Sequence, residues 1–309
     1  MSTLLLTHPS SLLHEMGEGH PECPERIQAV MDHLQAEDFA SLLREVASGV
    51  TLEAMLRAHS VRYVKALDAC APQEGYFEID ADTCMNSSTW PAAQHAAGAA
   101  VHAVDAVFQR RAGNAFVAMR PPGHHSGQES AMGFCFLNNV AIAARHAMAS
   151  HGAERVAIVD FDVHHGNGTQ EIFYSDRQVL YCSSHEMPLF PGTGRPEETG
   201  HFDQICNVAM QAGDDGAALR EAYREIILPR VHNFAPDLIL ISAGFDAHKH
   251  DPLGNLMLEA DDFYWVTGKL CDLANRHCGD RVVSLLEGGY SLEGLAQSAG
   301  AHVRALMGR

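Results

Sequence analysis

Short apolar runs recur along the chain, and most are followed by a segment with helical spacing or by a polar loop. Thr3–Thr7, Asn114–Met119, Arg155–Phe161, Val179–Ser183, Asp237–Ser242 and Arg281–Leu286 read as strands buried on both faces, because they are near-continuously apolar rather than alternating. Pro91–Arg111, Asn138–His151, Ala217–Phe234 and Asp261–His277 read as helices. Pro91 suits a first helical turn, where its missing N–H costs nothing. The pattern predicts an α/β fold, a single domain over residues 1–309 with a mostly parallel central sheet flanked by helices. No repeat, low-complexity tract or Pro/Ser-rich linker divides it.

Composition narrows the function classes. Hydrophobic residues are 46% of the 309, enough for a large core. No run of about 18 uncharged apolar residues occurs, so no membrane span is expected. The leading residues MSTLLLTHPS lack a basic region and a full apolar stretch, so no export signal is expected. Lys+Arg 21 against Asp+Glu 39 gives a net charge of −18, which disfavours nucleic acid and anionic lipid. It leaves room for cationic substrates, or for a purely solubilising role. Eight cysteines without a CxxC pair read as reduced thiols in a cytoplasmic protein. Of the 20 histidines, His33, His95, His102 and His151 read as isolated structural or solvated residues.

Other polar residues gather where predicted strands end. Asn114–Met119 runs into Arg120-Pro-Pro-Gly-His124-His125, and Arg155–Phe161 into Asp162-Val-His164-His165-Gly-Asn167. Asp237–Ser242 runs into Ala-Gly-Phe-Asp246, and Arg281–Leu286 into Glu287-Gly-Gly-Tyr290. Ligands of open parallel sheets bind outside the carboxyl ends of the strands. Asp160, Asp162 and His164 are spaced i, i+2, i+4 and would share one face of a strand. Alone, they could be a hydrogen-bonded strand terminus. With Asp246 they make an Asp2His set that leaves a zinc ion one open position.

Two carboxylates would temper the acidity that zinc confers on its water, so a base is needed beside it. His124 and His125 are candidates, with Asp160 and Asn167 available to fix their tautomers. One ring could take the water's proton while the other stays electropositive. Tyr290 could donate to the oxyanion formed when water attacks an amide carbonyl; a plain core tyrosine after a turn is the bland alternative.

RPPGHH, DFDVHHGNGT, FPGTG, SAGFDAHKHDPLG and EGGY, in that order, resemble the arginase–deacetylase superfamily. The likeness is to the zinc-dependent histone deacetylases and their bacterial amidohydrolase relatives, and Asn167 in HHGNG is similar to the class II branch. The resemblance implies an acyl-lysine deacetylase with zinc ligands Asp162, His164 and Asp246, ferrous iron being the alternative ion. It implies catalytic roles for His124, His125 and Tyr290, supported by Asp160 and Asn167. Phe134, with Gly133 beside it, and Phe190 match the walls of an acyl-lysine tunnel, and Arg26 matches an arginine beside an acetate cavity. A pairing of Arg26 with Glu22 is its structural alternative. Potassium sites are implied at Asp160, Asp162, His164 and Ser183, and at Phe173, Asp176 and Val179. Leu253 stands where a polyamine-selective relative carries Glu, which favours acetylated lysine peptides over acetylpolyamines. Glu15, Glu18 or Glu22 could still recognise a polyamine, and Asp82 is the candidate for contacting a substrate backbone. Ser183–Leu189 reads as part of a shortened rim. A dinuclear hydrolase would need more ligands, while a non-catalytic acyl-lysine binder and a homo-oligomer stay open.

Overall fold

The computed structural model describes residues 2–308, so the two ends of the expected 1–309 domain lie outside the described residues. Among the described residues there are ten strands: β1 Thr3–Thr7, β2 Leu43–Val46, β3 Phe77–Glu78, β4 Cys84–Met85, β5 Asn114–Val117, β6 Val156–Asp160, β7 Val179–Glu186, β8 Ile205–Met210, β9 Leu238–Ala243 and β10 Val282–Leu286. Eight form one sheet, ordered β2-β1-β5-β10-β9-β6-β7-β8, and every pairing in it is parallel. β3 and β4 make a small antiparallel pair.

Strand residues alternate between two cores. Leu4, Ala115, Val117, Ile158, Leu240 and Val283 pack beneath helices Thr89–Phe108 and Asn139–His151. Leu5, Phe116, Val159, Ile241 and Val282 pack beneath Pro24–His33, Ala260–Cys278 and Leu292–Leu306. Covering both faces explains the unbroken apolar runs, since burying each Val, Leu or Ile contributes roughly 1.5–3 kcal/mol. The expected α/β fold, with a parallel sheet flanked by helices, is the one observed.

Most predicted elements shift by one to three residues at an end, and two of the differences have a visible physical basis. The helix expected over Ala217–Phe234 contains a π-helical stretch, Tyr223–Ile227, between α-helical Gly216–Ala222 and Leu228–Phe234. Pro229 has no N–H to give the preceding turn, and the widened turn accommodates it. β7 continues to Glu186 with every residue buried, so most of the segment expected at the rim is interior. Glu186 there accepts from the backbone and side chain of Asn255.

Candidate active site

β5, β10, β9 and β6 are consecutive neighbours at the centre of the sheet. Being parallel, they deliver four polar clusters to one edge: His124 and His125, Glu287–Tyr290, Asp246, and Asp160–His164.

β6 ends at Asp160, so the i, i+2, i+4 arrangement is not strand geometry. Asp160 Oδ1 accepts from Asp162 N at 3.2 Å, and Asp162 Oδ1 from His164 N at 2.9 Å. Two successive Asx turns therefore aim these side chains. His164 Nδ1 lies 3.2 Å from Asp162 Oδ1 and 3.1 Å from Asp246 Oδ2. The remaining carboxylate oxygens accept backbone N–H groups: Gly288 N to Asp162 Oδ2 at 2.8 Å and Val163 N to Asp246 Oδ1 at 2.8 Å. Gly288 is required here, because an added Cβ would lie 2.0 Å from Asp246 Oδ2.

Both carboxylates are wholly buried, at 1% and 0% exposure, and close to each other. Burial and the Asp162 charge push Asp246 up to about 7. Burial disfavours ionisation of Asp162 too, but His124 and His164 outweigh it and hold that carboxyl below its ordinary range. One donor atom from each of Asp162, His164 and Asp246 lies within 4.8 Å of the others. Two buried carboxylates and one imidazole fit a divalent cation, whose charge would offset the cost of confining them. Zinc and ferrous iron both fit this donor set.

The two neighbouring histidines occupy opposite electrostatic settings. His124 Nδ1 donates to Asp160 Oδ2 at 3.0 Å, which also accepts from Tyr181 Oη at 3.0 Å. Burial opposes a charge on His124, yet Asp162 and Asp160 prevail and raise it to about 10. His125 Nδ1 instead contacts Asn167 Oδ1 at 2.8 Å, a neutral partner. Burial, reinforced by His124 and His164, holds His125 well below its ordinary value. Neighbouring rings thus differ in charge because their partners do.

His125 and His164 reach a cavity of about 230 Å³, whose lining also includes Asp82, Gly133, Phe134, Leu189, Phe190, Leu253 and Tyr290. Every substrate-facing residue expected from the sequence is there, and Leu189 joins them. Gly133 has φ +54°, and a Cβ would approach His125 to 2.6 Å and Phe190 to 3.0 Å. Only glycine lets this loop pass so close. Tyr290 is half-buried, with Phe134 edge-on at 5.8 Å and the Arg26 guanidinium 4.7 Å from its ring centre.

Arg26 donates to Gly289 O and Glu287 O, each at 2.6 Å, and to Glu22 Oε1 at 2.9 Å. Its donors thus brace the turn carrying Tyr290. Glu22 is fully buried and clamped by Arg120, Arg26 and His14, so it is not a rim residue. Glu15 and Glu18 are exposed, as is Asp82, whose carboxylate accepts from Thr83 Oγ1. Asp160 and Ser183 are register partners on β6 and β7. Phe173 O accepts from Gln204 Nε2, the Asp176 carboxylate pairs with Arg145, and Val179 opens β7.

Two supports escaped the sequence reading. Glu287 Oε2 accepts from Gly123 N and His124 N, fixing the histidine loop, while Ser242 donates to its other oxygen. Asp251 Oδ2 accepts from Tyr290 N at 2.7 Å and Ser291 N at 3.1 Å. Glu287 directly follows β10 in a Glu-Gly-Gly-Tyr run and Asp251 lies in the longer loop after β9, each inside a glycine-containing motif, which was the available signal.

Residues 20–306 match the histone deacetylase domain model. A probable deacetylase of Archaeoglobus fulgidus is 40% identical over 300 residues, covering 95% of this chain and 83% of the relative. A histone deacetylase-like amidohydrolase of Pseudomonas aeruginosa is 38% identical over 280 residues, covering 88% and 73%. The crystal structure of the HDA15 HD domain superposes with a TM-score of 0.95 at 37% identity, covering 100% of this chain and 88% of that one. A parallel sheet with its polar clusters on one edge, and these likenesses along nearly its whole length, show that the chain belongs to the histone deacetylase family of amide hydrolases.

Proposed function

We propose that this chain removes acetyl groups from the lysine side-chain amine of proteins or peptides, with one zinc ion held by Asp162, His164 and Asp246. The observation that carries the reading is the meeting of that buried trio, through His164, with a narrow cavity also lined by His125, Tyr290, Phe134 and Phe190. When bound, the ion polarises the acyl carbonyl and acidifies water. His125 donates through Nδ1 to Asn167, leaving the Nε2 lone pair to accept the proton of the attacking water. His124, bonded to Asp160, stays protonated and electropositive beside the developing charge. The Tyr290 hydroxyl donates to the tetrahedral oxyanion. His125 then delivers its proton to the departing amine, giving acetate and a free amine.

Phe134 and Phe190 offer apolar walls that suit a methylene chain and exclude water. Leu253 offers no charge for a distal ammonium, which supports lysine over a polyamine. Asp160 ends β6 opposite Ser183 within β7, and Asp162 and His164 follow in the turns beyond, an arrangement that would suit a potassium ion bound through backbone carbonyls; no step depends on it. All eight cysteines are free, which supports a reducing compartment such as the cytoplasm.

Acetylpolyamines are the second reading. Asp82 lines the cavity, and Glu15 and Glu18 line a separate groove together with His20, whose ring packs edge-on against Phe134 of the cavity wall. Competing an acetyl-lysine peptide against acetylspermidine and acetylputrescine decides between them. The peptide should be favoured by at least about tenfold in kcat/KM; a preference for either polyamine overturns the assignment.

A further inference from the structure

Helices Thr89–Phe108 and Asn139–His151 pack together and lead directly into β5 and β6. Their C-terminal ends therefore lie at the amino edge of the sheet, opposite the candidate active site. There Asp105 Oδ1 contacts His146 Nε2 at 2.7 Å and His151 Nε2 at 2.6 Å. One donor atom from each of the three residues lies within 4.8 Å of the others. All three are partly buried, at 33%, 12% and 16% side-chain exposure. Phe108 stacks on His151 at 4.7 Å and fixes that ring. The sequence reading of His151 as isolated does not hold.

Asp105 occupies the last turn of its helix, where the macrodipole disfavours a carboxylate and favours a cation. Asp105 and His146 also line a surface groove, so solvent can complete a coordination shell. Two imidazoles and a carboxylate with open positions suit a borderline divalent transition metal.

We propose that Asp105, His146 and His151 bind such a metal at a second site, independent of the active site, that ties the two helix ends together. On binding, a ring that carries its proton on Nε2 moves it to its own Nδ1, which frees the Nε2 lone pair for the metal. The present hydrogen-bond contacts widen to about 3.3 Å, the separation of tetrahedral ligands. His146 Nδ1–H then donates to Ser150 Oγ, now 3.3 Å away. Arg57, whose Nη1 faces that nitrogen at 3.1 Å, must turn aside while keeping its bond to Glu53. Arg57 is thus a built-in competitor of the metal.

The test titrates full-length protein, already holding one zinc per chain, with further Zn²⁺ by calorimetry, with bound metal counted by elemental analysis after dialysis. Wild type should take up a second equivalent and gain melting temperature with it, while the His146→Asn/His151→Asn double variant should stay at one. Arg57→Gln removes no ligand and should tighten the second site by about tenfold. A wild type that stops at one equivalent, or a second equivalent that persists in the double variant, overturns the proposal. Should the double variant not fold, unchanged or weaker second-site affinity in Arg57→Gln overturns it instead.

Discussion

At the scale of single residues, the site works by giving similar side chains dissimilar partners. His124 leans on a carboxylate and His125 on an amide, so one ring is held charged and the other neutral. Tyr290 is kept neutral, its phenol raised well above the ordinary value by burial, and so stays a donor. Replacing Tyr290 with Phe should keep the metal and lower kcat by about 10²- to 10³-fold, as for loss of one oxyanion donor. Single-turnover kinetics on metal-loaded protein checks this, and near-normal turnover would refute the role. These residue identities were legible because rare side chains recur beside glycine at predicted strand ends. What holds them was less legible. The Arg26–Glu22 pair, four residues apart, was within reach of the sequence. But Arg26 to the Glu287 carbonyl, Glu22 to Arg120 and Glu287 to the Gly123 amide join groups more than 90 residues apart, and no local pattern reports such pairings.

At the scale of elements, parallel strand ends place the chemistry and the turns beyond them aim it. The turn after β10 is held from one side by Arg26 on its carbonyls and from the other by Asp251 on its amides. Asp251→Asn should weaken the latter grip, lowering kcat by roughly tenfold with little change in KM for acetyl-lysine peptide. A pure rise in KM would place Asp251 in substrate binding instead. The central strands were visible in the sequence because both of their faces are apolar. β2 was missed because it is an edge strand with Leu43 and Val46 exposed, reading like a loop. Helix Leu292–Leu306 was also missed, although Leu295, Ala299, Val303 and Leu306 mark its buried stripe. The Asx turns after β6 could not be told from a continued strand, since both put alternate residues on one side.

For the molecule as a whole, burial of histidines away from the site sets its acid tolerance. His59 and His185 are lowered to about 4 and His302 to about 3, in each case foremost by burial. The unfolded chain protonates these rings below about pH 6.5, while the folded chain does not. Their contribution is therefore complete above about pH 6.5 and is lost as pH falls towards 4, by up to ~1.4 kcal/mol per unit for each ring. Urea midpoints should fall steadily from pH 7 to pH 5, and a flat profile would contradict the assignment. The same sheet that buries those rings brings Asp162, His164 and Asp246 together, and metal-dependent hydrolysis there is the central claim. Acetate release from an acetyl-lysine peptide, measured before and after chelator stripping and after adding back one equivalent of zinc, tests it most directly. Activity should vanish on stripping and return in wild type but not in Asp246→Ala; full turnover by the stripped protein, or by that variant, would contradict it.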